Sequence, residues 1–363
     1  MRVTIMGAGA GGMAAAVELT HAGHSITLWN RSPDTLKPFE TAGGLAYEGV
    51  LGDGVARPAA MTCDASVAVK GTELVLVCAP TSSHRDLARV LAQSRLAAGI
   101  PVVLNPGHTG GALEFQQAFR EAAGSAPPIA ELSTLTYVAR KHQPERVTVT
   151  GRAKRVRGAA LPGGHAALAA ACALFDSVAP VDDVLASGLS NVNMVLHPPG
   201  AVLAASWVEA RHGDFTFYVE AMTPGVARVM RALDDERRTV ASAFGHALPS
   251  LVAEMKVIGT VEDDADERDL VGAISGGQAN QRIKAPDTLS HRYYLEDFAY
   301  GLLPFLAFAG IAGVPTPVAD ALLELGSALT DIDFRANGRT AERMCISGMT
   351  SAELIARVRT ESL

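Results

Sequence analysis

The chain has 363 residues, 48% of them hydrophobic, and a formal net charge of -7. This length and composition indicate a folded protein with room for two domains and exclude a disordered chain. The negative charge argues against a general binder of nucleic acid or anionic membranes, although a small acidic substrate needs only a local cationic pocket. The four cysteines are scattered without a CxxC pair or a Cys/His cluster, so we expect reduced thiols and no metal site. Because a strand is predicted to begin at residue 2, we expect no signal peptide, and a cytoplasmic location is the default expectation.

The first thirty residues contain the strongest local pattern. The apolar run Arg2–Met6 predicts a strand, and the turn Gly7-Ala-Gly-Ala-Gly-Gly12 follows it at once. Helical composition from Met13 to Ala22 and an apolar run at Ser25–Trp29 predict a helix and a second strand. This order is that of a dinucleotide-binding βαβ unit, whereas a glycine-rich turn in another α/β domain is the alternative.

Three glycines of this turn are candidate coenzyme-binding residues. Gly7 allows the tight turn, Gly9 lets the backbone approach a pyrophosphate, and Gly12 lets the helix and strand pack closely. The free N–H groups at the start of the helix then attract the phosphates.

The end of the second strand favours NADP over NAD. An NAD site usually places Asp or Glu here to bind the ribose 2′-hydroxyl, but this chain has Asn30, Arg31 and Ser32. No carboxylate repels a 2′-phosphate, and Arg31 is placed to pair with one. In the alternative interpretation, Asn30 serves the ribose of NAD and Arg31 is a solvated loop residue.

Further parallel strands are predicted in the first half of the chain. The apolar run Glu73–Ala79 is typical of a central strand, and it is followed by Pro80 and a helix at His84–Gln93. The next strand, Pro101–Leu104, ends at Asn105. Ligands of open parallel sheets lie beyond the carboxyl ends of the strands, so Pro80 and Asn105 are candidate coenzyme contacts. The remaining elements of this half are a predicted helix at Leu113–Ala123 and strands within Ile129–Tyr137, Val147–Thr150, Ala153–Val156 and Val178–Val181.

The second half of the chain is predicted to be helical. We therefore expect α/β architecture, with a Rossmann dinucleotide-binding domain at residues 1–183, an all-α substrate and catalytic domain at 184–363, and a cleft between them. The uncharged run from Phe298 to Val314 is predicted to be a buried core helix and not a membrane span. The predicted helices are Gly200–Arg211, Gly225–His246, Ala265–Ile274, Tyr294–Ile311, Pro317–Leu329 and Ser351–Val358.

His197 is the candidate proton donor among the ten histidines. It lies between apolar residues and directly before Pro198, which disfavours helical backbone at the preceding residue. We therefore expect His197 at an interruption from which its side chain projects into a cleft. Asn193 is four residues earlier, on the same face if the segment is helical. The alternative is a buried histidine with a structural role only.

A second cluster, from Ser290 to Phe298, precedes the longest apolar run. Asp297 would orient an imidazole, and Arg292 would bind a substrate carboxylate with two hydrogen bonds. Alternatively, Arg292 and Glu296 form an ordinary surface pair one helical turn apart. The residues Phe215, Phe217 and Tyr218 would either line an amino acid pocket or pack in the core.

Taken together, these motifs resemble the opine dehydrogenases of the octopine/nopaline type, over nearly the whole chain. The Asn-x-x-x-His-Pro and Arg-Tyr-x-x-Glu-Asp motifs are the most specific. The matching features are, in order, the GAGAGG turn, Asn105-Pro-Gly with Gly110-Gly111, Glu131–Tyr137, Asn193-x-x-x-His197-Pro198, Lys284-Ala-Pro-Asp, His291-Arg-Tyr, Glu296-Asp297 and Gly313-Val-Pro-Thr-Pro317.

The resemblance implies an NADP- or NAD-dependent dehydrogenase that condenses an amino acid with a 2-oxo acid and reduces the resulting imine. It implies that His197 is the acid–base histidine, Asp297 its partner and Arg292 the carboxylate ligand. Separately, the apolar helices of the second half suggest a homodimer. Two alternatives stay open at this point. A reductase similar to ketopantoate reductase or glycerol-3-phosphate dehydrogenase would use a lysine, with Lys256 and Lys284 available, and a non-catalytic dinucleotide sensor would show no turnover.

Overall fold

The structure is a computed structural model that describes residues 1–278 and 280–359. The chain forms two compact units. The first unit contains residues 1–107, 111–187 and a terminal segment beginning at Val358, and the second contains residues 108–110 and 188–357. The short loop His108–Gly110 therefore belongs to the second unit although the strand before it belongs to the first. The functional division into residues 1–183 and 184–363 stays a prediction.

The first unit is built around two β-sheets. Its strands are β1 (Arg2–Met6), β2 (Ser25–Trp29), β3 (Leu45–Gly49), β4 (Gly54–Ala56), β5 (Ala60–Thr62), β6 (Leu74–Val77), β7 (Val102–Leu104), β8 (Ile129–Leu132), β9 (Tyr137–Gln143), β10 (Arg146–Arg152), β11 (Val156–Ala160) and β12 (Val178–Pro180).

The larger sheet has the strand order β12-β11-β8-β7-β6-β1-β2-β5, and all its pairs are parallel except the one between β11 and β8. Val3 of β1 lies opposite Ile26 of β2 on one side and Leu74 of β6 on the other. Strands β6 and β7 are buried along their whole length, as expected for continuous apolar runs in a parallel sheet. The smaller sheet has the order β4-β3-β10-β9.

The helices of the first unit connect these strands. Helix α1 begins at Ala10, three residues before the predicted start, because Gly9 already occupies the N-cap position. The helices are α1 (Ala10–His21), α2 (Pro33–Thr41), α3 (Ala65–Ala68), α4 (His84–Gln93), α5 (Gly111–Ala123), α6 (His165–Leu174) and α7 (Val184–Leu189), the last of which contains the change to the second unit.

The second unit is helical, as predicted. A π-helical turn at Phe298–Leu302 separates two of its helices, and the helix α11 was not predicted. The helices are α8 (Asn193–Leu203), α9 (Ala205–Arg211), α10 (Pro224–Ala243), α11 (Leu251–Ile258), α12 (Leu270–Gly276), α13 (Arg292–Leu295), α14 (Leu303–Ala312), α15 (Pro317–Thr330), α16 (Phe334–Asn337) and α17 (Ser351–Val358).

The predicted interruption at His197 is wrong. Helix α8 runs through Pro198 and Pro199, so His197 lies within a continuous helix. The two prolines remove backbone donors, but their neighbours are buried and dense packing fixes the path of the helix. At Gly200, for example, an added Cβ would lie 2.6 Å from the ring of Phe217.

The apolar stretch Arg292–Ala312 is the one part of the described chain that is long and apolar enough to cross a membrane, by length and composition alone. Within this stretch, Phe298, Phe305 and Phe308 are fully buried in the second unit. This burial is what the sequence predicted for the run from Phe298 to Val314, and a core helix passes the same length and composition test.

The four cysteines are free thiols. Cys78, directly after β6, is buried, and this burial raises the pKa of its thiol to about 12. Among residues 1–278 and 280–359, no group of three or more His, Cys, Asp or Glu side chains is placed to hold a metal ion.

Candidate active site

The turn between β1 and α1 has the shape required for a dinucleotide. Gly7 has φ +116°, and an added Cβ there would lie 2.4 Å from the carbonyl oxygen of Cys78. At Gly12 an added Cβ would lie 1.8 Å from the carbonyl oxygen of Gly7. At Gly9, beside the N-terminus of α1, no atom other than those of Gly9 and its chain neighbours lies within 4 Å of the corresponding point, and α1 has no side-chain cap. The turn therefore leaves space for a phosphate next to the free N–H groups at the start of the helix, so these residues fit a dinucleotide.

Asn30 at the end of β2 supports the glycine turn. Its side-chain oxygen accepts a hydrogen bond of 3.1 Å from the backbone N–H of Ala8, and its amide nitrogen donates one of 3.2 Å to the carbonyl of Ser32. Arg31 is exposed beside it. The side chain of Asn30 is thus engaged within the loop, whereas the guanidinium of Arg31 is accessible to a charged group.

Pro80 and Asn105 follow the carboxyl ends of β6 and β7, as predicted. Pro80 begins the short 3₁₀ turn Thr81–Ser83. The buried amide of Asn105 donates a hydrogen bond of 3.0 Å to the hydroxyl of Thr136 and accepts one of 3.2 Å from the Thr136 N–H. The side chain of Asn105 therefore joins two loops of the first unit.

In the second unit, His197 and Asp297 form a buried pair. The imidazole Nδ1 lies 2.6 Å from Asp297 Oδ2, and the side chains are 4% and 1% exposed. Because a carboxylate only accepts hydrogen bonds, Nδ1 carries a proton, and Nε2 of the neutral ring is then an acceptor. The same carboxylate stabilises the imidazolium when Nε2 takes a second proton. This is the arrangement of an acid–base histidine with its orienting group.

The backbone directly after Asp297 is irregular. Asp297 lies between α13 and the π-helical turn, and its carbonyl accepts a hydrogen bond of 2.9 Å from the N–H of Leu302, five residues later. Single π-turns inside helices occur frequently at functional sites.

Two tyrosines complete the surroundings of His197. The hydroxyl of Tyr218 lies 2.7 Å from His197 Nε2, and the ring of Tyr293 stacks on the imidazole with centroids 3.7 Å apart and an interplanar angle of 17°. Burial raises the pKa of Tyr218 well above its usual value, and Tyr293 adds to this effect. Tyr218 is therefore a hydroxyl donor to Nε2. The sequence offered Tyr218 only as a pocket or core residue, while Phe215 and Phe217 beside it are buried in the core.

Arg292 and Asn193 are the first residues of two helices near the pair, α13 and α8. Arg292 is the first residue of α13; its side chain is 55% exposed, and its Nε lies 3.7 Å from Glu296 Oε2. The predicted pair with Glu296 is thus present, yet about half of the Arg292 side chain remains exposed. Asn193 begins α8, one turn before His197, and is partly exposed.

His108 is a second buried histidine that sequence reasoning left without a role. It has φ +60° and is 4% exposed. The next residue anchors the loop to the second unit, because the Thr109 hydroxyl donates to the Gly188 carbonyl at 3.1 Å and the Thr109 carbonyl accepts from Arg339 at 2.7 Å.

The charges around His108 place it on the Asp297 side of the second unit. Burial lowers the pKa of His108, the carboxylates of Glu296 and Asp297 oppose this shift, and Arg292 and Arg339 reinforce it. In the sequence, the available signal was a histidine inside a glycine-rich loop. In the structure, this residue has positive φ, which in a non-glycine residue often marks a functional position.

The lysines of the alternative reductase mechanism both lie near a carboxylate. Lys284 is 64% exposed and lies 2.8 Å from Asp214, and Lys256 lies 3.8 Å from Glu267.

Comparison with known proteins identifies both halves of the chain. Residues 180–330 match the family model described as NAD/NADP octopine/nopaline dehydrogenase, alpha-helical domain. Residues 3–159 match the model described as ketopantoate reductase PanE/ApbA. The fold and the paired histidine thus define a dinucleotide-dependent dehydrogenase with a Rossmann domain and a helical second domain.

Full-length similarities are more specific. The opine dehydrogenase of Arthrobacter sp. (strain 1C) is 34% identical over 350 residues, which cover 96% of each chain. The chain therefore belongs to the opine dehydrogenase family, the NAD(P)-dependent oxidoreductases that act on a CH–NH group by reductive condensation of an amino acid with a 2-oxo acid. Neither the lysine-dependent reductase nor the dinucleotide sensor is favoured by this result.

Solved structures share the fold along the whole chain. An octopine dehydrogenase in complex with NADH and agmatine has a TM-score of 0.78 at 18% identity and covers 100% of both chains. A yersinopine dehydrogenase with NADP+ bound has a TM-score of 0.71 at 17% identity and covers 98% of this chain and 97% of its own.

Proposed function

We propose that His197 and Asp297 are the acid–base centre of the reductive condensation in this chain. The observation that carries this proposal is the buried contact of 2.6 Å between Nδ1 and Oδ2 in the second unit. A structural histidine would need a partner for its polar atoms as well, but a neutral amide or carbonyl would suffice for that purpose. A buried carboxylate in this position serves an imidazole that becomes charged.

The condensation needs a group that takes a proton and returns it. The ammonium group of the amino acid must lose a proton before its nitrogen attacks the keto carbon, and the neutral imidazole accepts that proton with Asp297 stabilising the charge. The imidazolium returns the proton to the oxygen of the carbinolamine, which leaves as water and gives the protonated imine. When bound, NADPH or NADH supplies the hydride that reduces this imine to a secondary amine.

We propose that Arg292 binds a substrate carboxylate. The guanidinium of this partly exposed side chain provides paired donors for a carboxylate, and only its Nε lies near Glu296, at 3.7 Å. Asn193, one helical turn before His197, would add a neutral polar contact to the substrate. A substrate screen would identify the particular amino acid and 2-oxo acid.

For the coenzyme we propose a preference for NADP over NAD, bound at Gly7, Gly9 and Gly12. The support is the lack of a carboxylate at Asn30 and the exposed guanidinium of Arg31. Pro80 and Asn105 would contact the coenzyme from the ends of the neighbouring strands, and Asn105 would do so through its backbone. We further propose that residues 1–183 bind the coenzyme and 184–363 the substrates, in a cytoplasmic enzyme that forms a homodimer.

The test is coenzyme oxidation with a panel of amino acids and 2-oxo acids, with NADPH and NADH in parallel. His197→Ala should bind coenzyme normally and lose turnover by about 10²-fold or more. Near-normal turnover of His197→Ala together with an inactive Lys256→Met variant would refute the proposed centre in favour of a lysine acid. Light scattering would test the dimer.

A further inference from the structure

Both ring nitrogens of His197 have partners. Nδ1 faces Asp297 at 2.6 Å and Nε2 faces the Tyr218 hydroxyl at 2.7 Å, while the ring of Tyr293 covers one face of the imidazole at 3.7 Å. The imidazole is only 4% exposed. In this arrangement the histidine has no free nitrogen with which to meet a substrate atom directly.

Tyr218 is held in place by its neighbours. The N–H of Phe217 donates a hydrogen bond of 3.0 Å to the carbonyl of Ile283, and the N–H of Thr216 donates one of 2.6 Å to the carboxylate of Glu220. The rings of Phe217 and Tyr218 meet edge to face with centroids 5.1 Å apart. The ring of Tyr218 therefore belongs to a segment held by backbone hydrogen bonds and ring packing, and this segment directs the Tyr218 hydroxyl at Nε2.

We propose that Tyr218 is a catalytic residue that carries the proton between His197 and the substrate. This inference rests on the proposed role of His197 and extends it by one group. To form the imine, the Tyr218 O–H gives its proton to the carbinolamine oxygen as the imidazolium Nε2–H gives its own proton to the Tyr218 oxygen. The C–O bond breaks and water leaves, so the positive charge passes to the protonated imine, while Tyr218 and His197 end as neutral phenol and neutral imidazole.

The reverse sequence activates the amine. Tyr218 takes the proton of the substrate ammonium group while passing its own to Nε2, so the proton removed from nitrogen is the one that later leaves with water. No further acid or base is consumed. Burial raises the pKa of the Tyr218 hydroxyl, and a free tyrosinate is therefore unfavourable. Both protons must then move in one concerted step.

The conservative variant Tyr218→Phe keeps the ring and removes the relay. We expect kcat to fall by about 10²-fold or more, the low end of what a positioned proton donor contributes, while coenzyme affinity and the thermal unfolding midpoint stay close to wild type. The matched control is Tyr294→Phe, since Tyr294 is also fully buried and donates its hydroxyl to a backbone carbonyl, that of Ala201, at 2.8 Å. That control should lower stability and leave kcat unchanged.

Single-turnover rates in H₂O/D₂O mixtures provide a readout that packing alone would not change. Wild type should show a curved dependence on the deuterium fraction because two protons move together, and Tyr218→Phe should show a linear one. A linear wild-type dependence, or a kcat of Tyr218→Phe within about 3-fold of wild type, overturns the relay. His197→Ala in the same assay separates the two proposals. If it is inactive while Tyr218→Phe is active, only the relay fails; if it is active, the acid–base centre itself fails.

Discussion

Replacing Asp297 by asparagine tests the role of the buried carboxylate with the smallest change in shape. The substituted amide would occupy nearly the same volume next to Nδ1 but carry no charge. If its nitrogen faced the imidazole, it would also favour the wrong tautomer, because Nδ1 would then accept and Nε2 would carry the proton. Both effects act on the step in which the imidazole becomes an imidazolium.

The magnitude follows from the geometry of the pair. Atoms 2.6 Å apart place the centres of the two charges about 4 Å from each other, and at that distance a unit charge pair is worth ~4 kcal/mol at an effective dielectric constant near 20. Losing this stabilisation in the transition state corresponds to a factor of about 10³ in rate, since each ~1.4 kcal/mol is tenfold. We therefore expect kcat of Asp297→Asn to fall by about 10²–10³-fold.

The assay is steady-state coenzyme oxidation at saturating substrates, with folding checked by thermal unfolding. The matched control is Asp234→Asn, because Asp234 is the carboxylate of another buried pair in the second unit, 2.8 Å from Nε of Arg237. Its second oxygen accepts from the N–H of Leu251 at 2.9 Å, so it joins helices and has no contact with His197. This control should lower the unfolding midpoint and leave kcat of the folded enzyme unchanged. Equal kcat values for Asp297→Asn and wild type would refute the assignment.

Three further predictions concern binding and pH. Arg292→Ala should raise KM for the 2-oxo acid by about 10–10²-fold, the worth of a charge-assisted hydrogen bond, and leave KM for the coenzyme unchanged; equal increases in steady-state kinetics would contradict a carboxylate-binding role. Arg31→Ala should lower the ratio of kcat/KM for NADPH over NADH by about 10-fold, and an unchanged ratio would remove Arg31 from the coenzyme site. Because burial lowers the pKa of His108 below its usual 6.5, the unfolded chain binds this proton more readily than the folded chain. The free energy of unfolding should therefore fall as the pH drops below 6.5 towards the depressed value. His108→Asn is the test, because Asn also tolerates positive φ. In denaturant titrations at several pH values, the free energy of unfolding of this variant should fall less steeply with decreasing pH than that of wild type. An equally steep fall in both proteins would exclude His108 as the source of the pH dependence.

The Asn-x-x-x-His-Pro and Arg-Tyr-x-x-Glu-Asp motifs of the second half were recognisable in the sequence. Their proximity in the folded chain was not. His197 and Asp297 are 100 residues apart in the chain and 2.6 Å apart in space. The residues alone suggested that Asp297 orients an imidazole, and the resemblance to a family identified that imidazole as His197. The backbone around both residues was also unexpected, since α8 runs through two prolines and Asp297 precedes a π-helical turn.

The sequence by itself determined the unit formed by β1, α1 and β2. Its glycines, apolar runs and short spacing act within thirty residues, where backbone sterics and local hydrogen bonds decide the conformation. Tertiary structure alone decided that Tyr218 meets Nε2 and that His108 joins the second unit on the side of Asp297. No local pattern in the sequence indicates these contacts, because they depend on packing between segments far apart in the chain. Such packing also overrides the local preference of Pro198, since many buried contacts together outweigh a few kcal/mol of backbone cost.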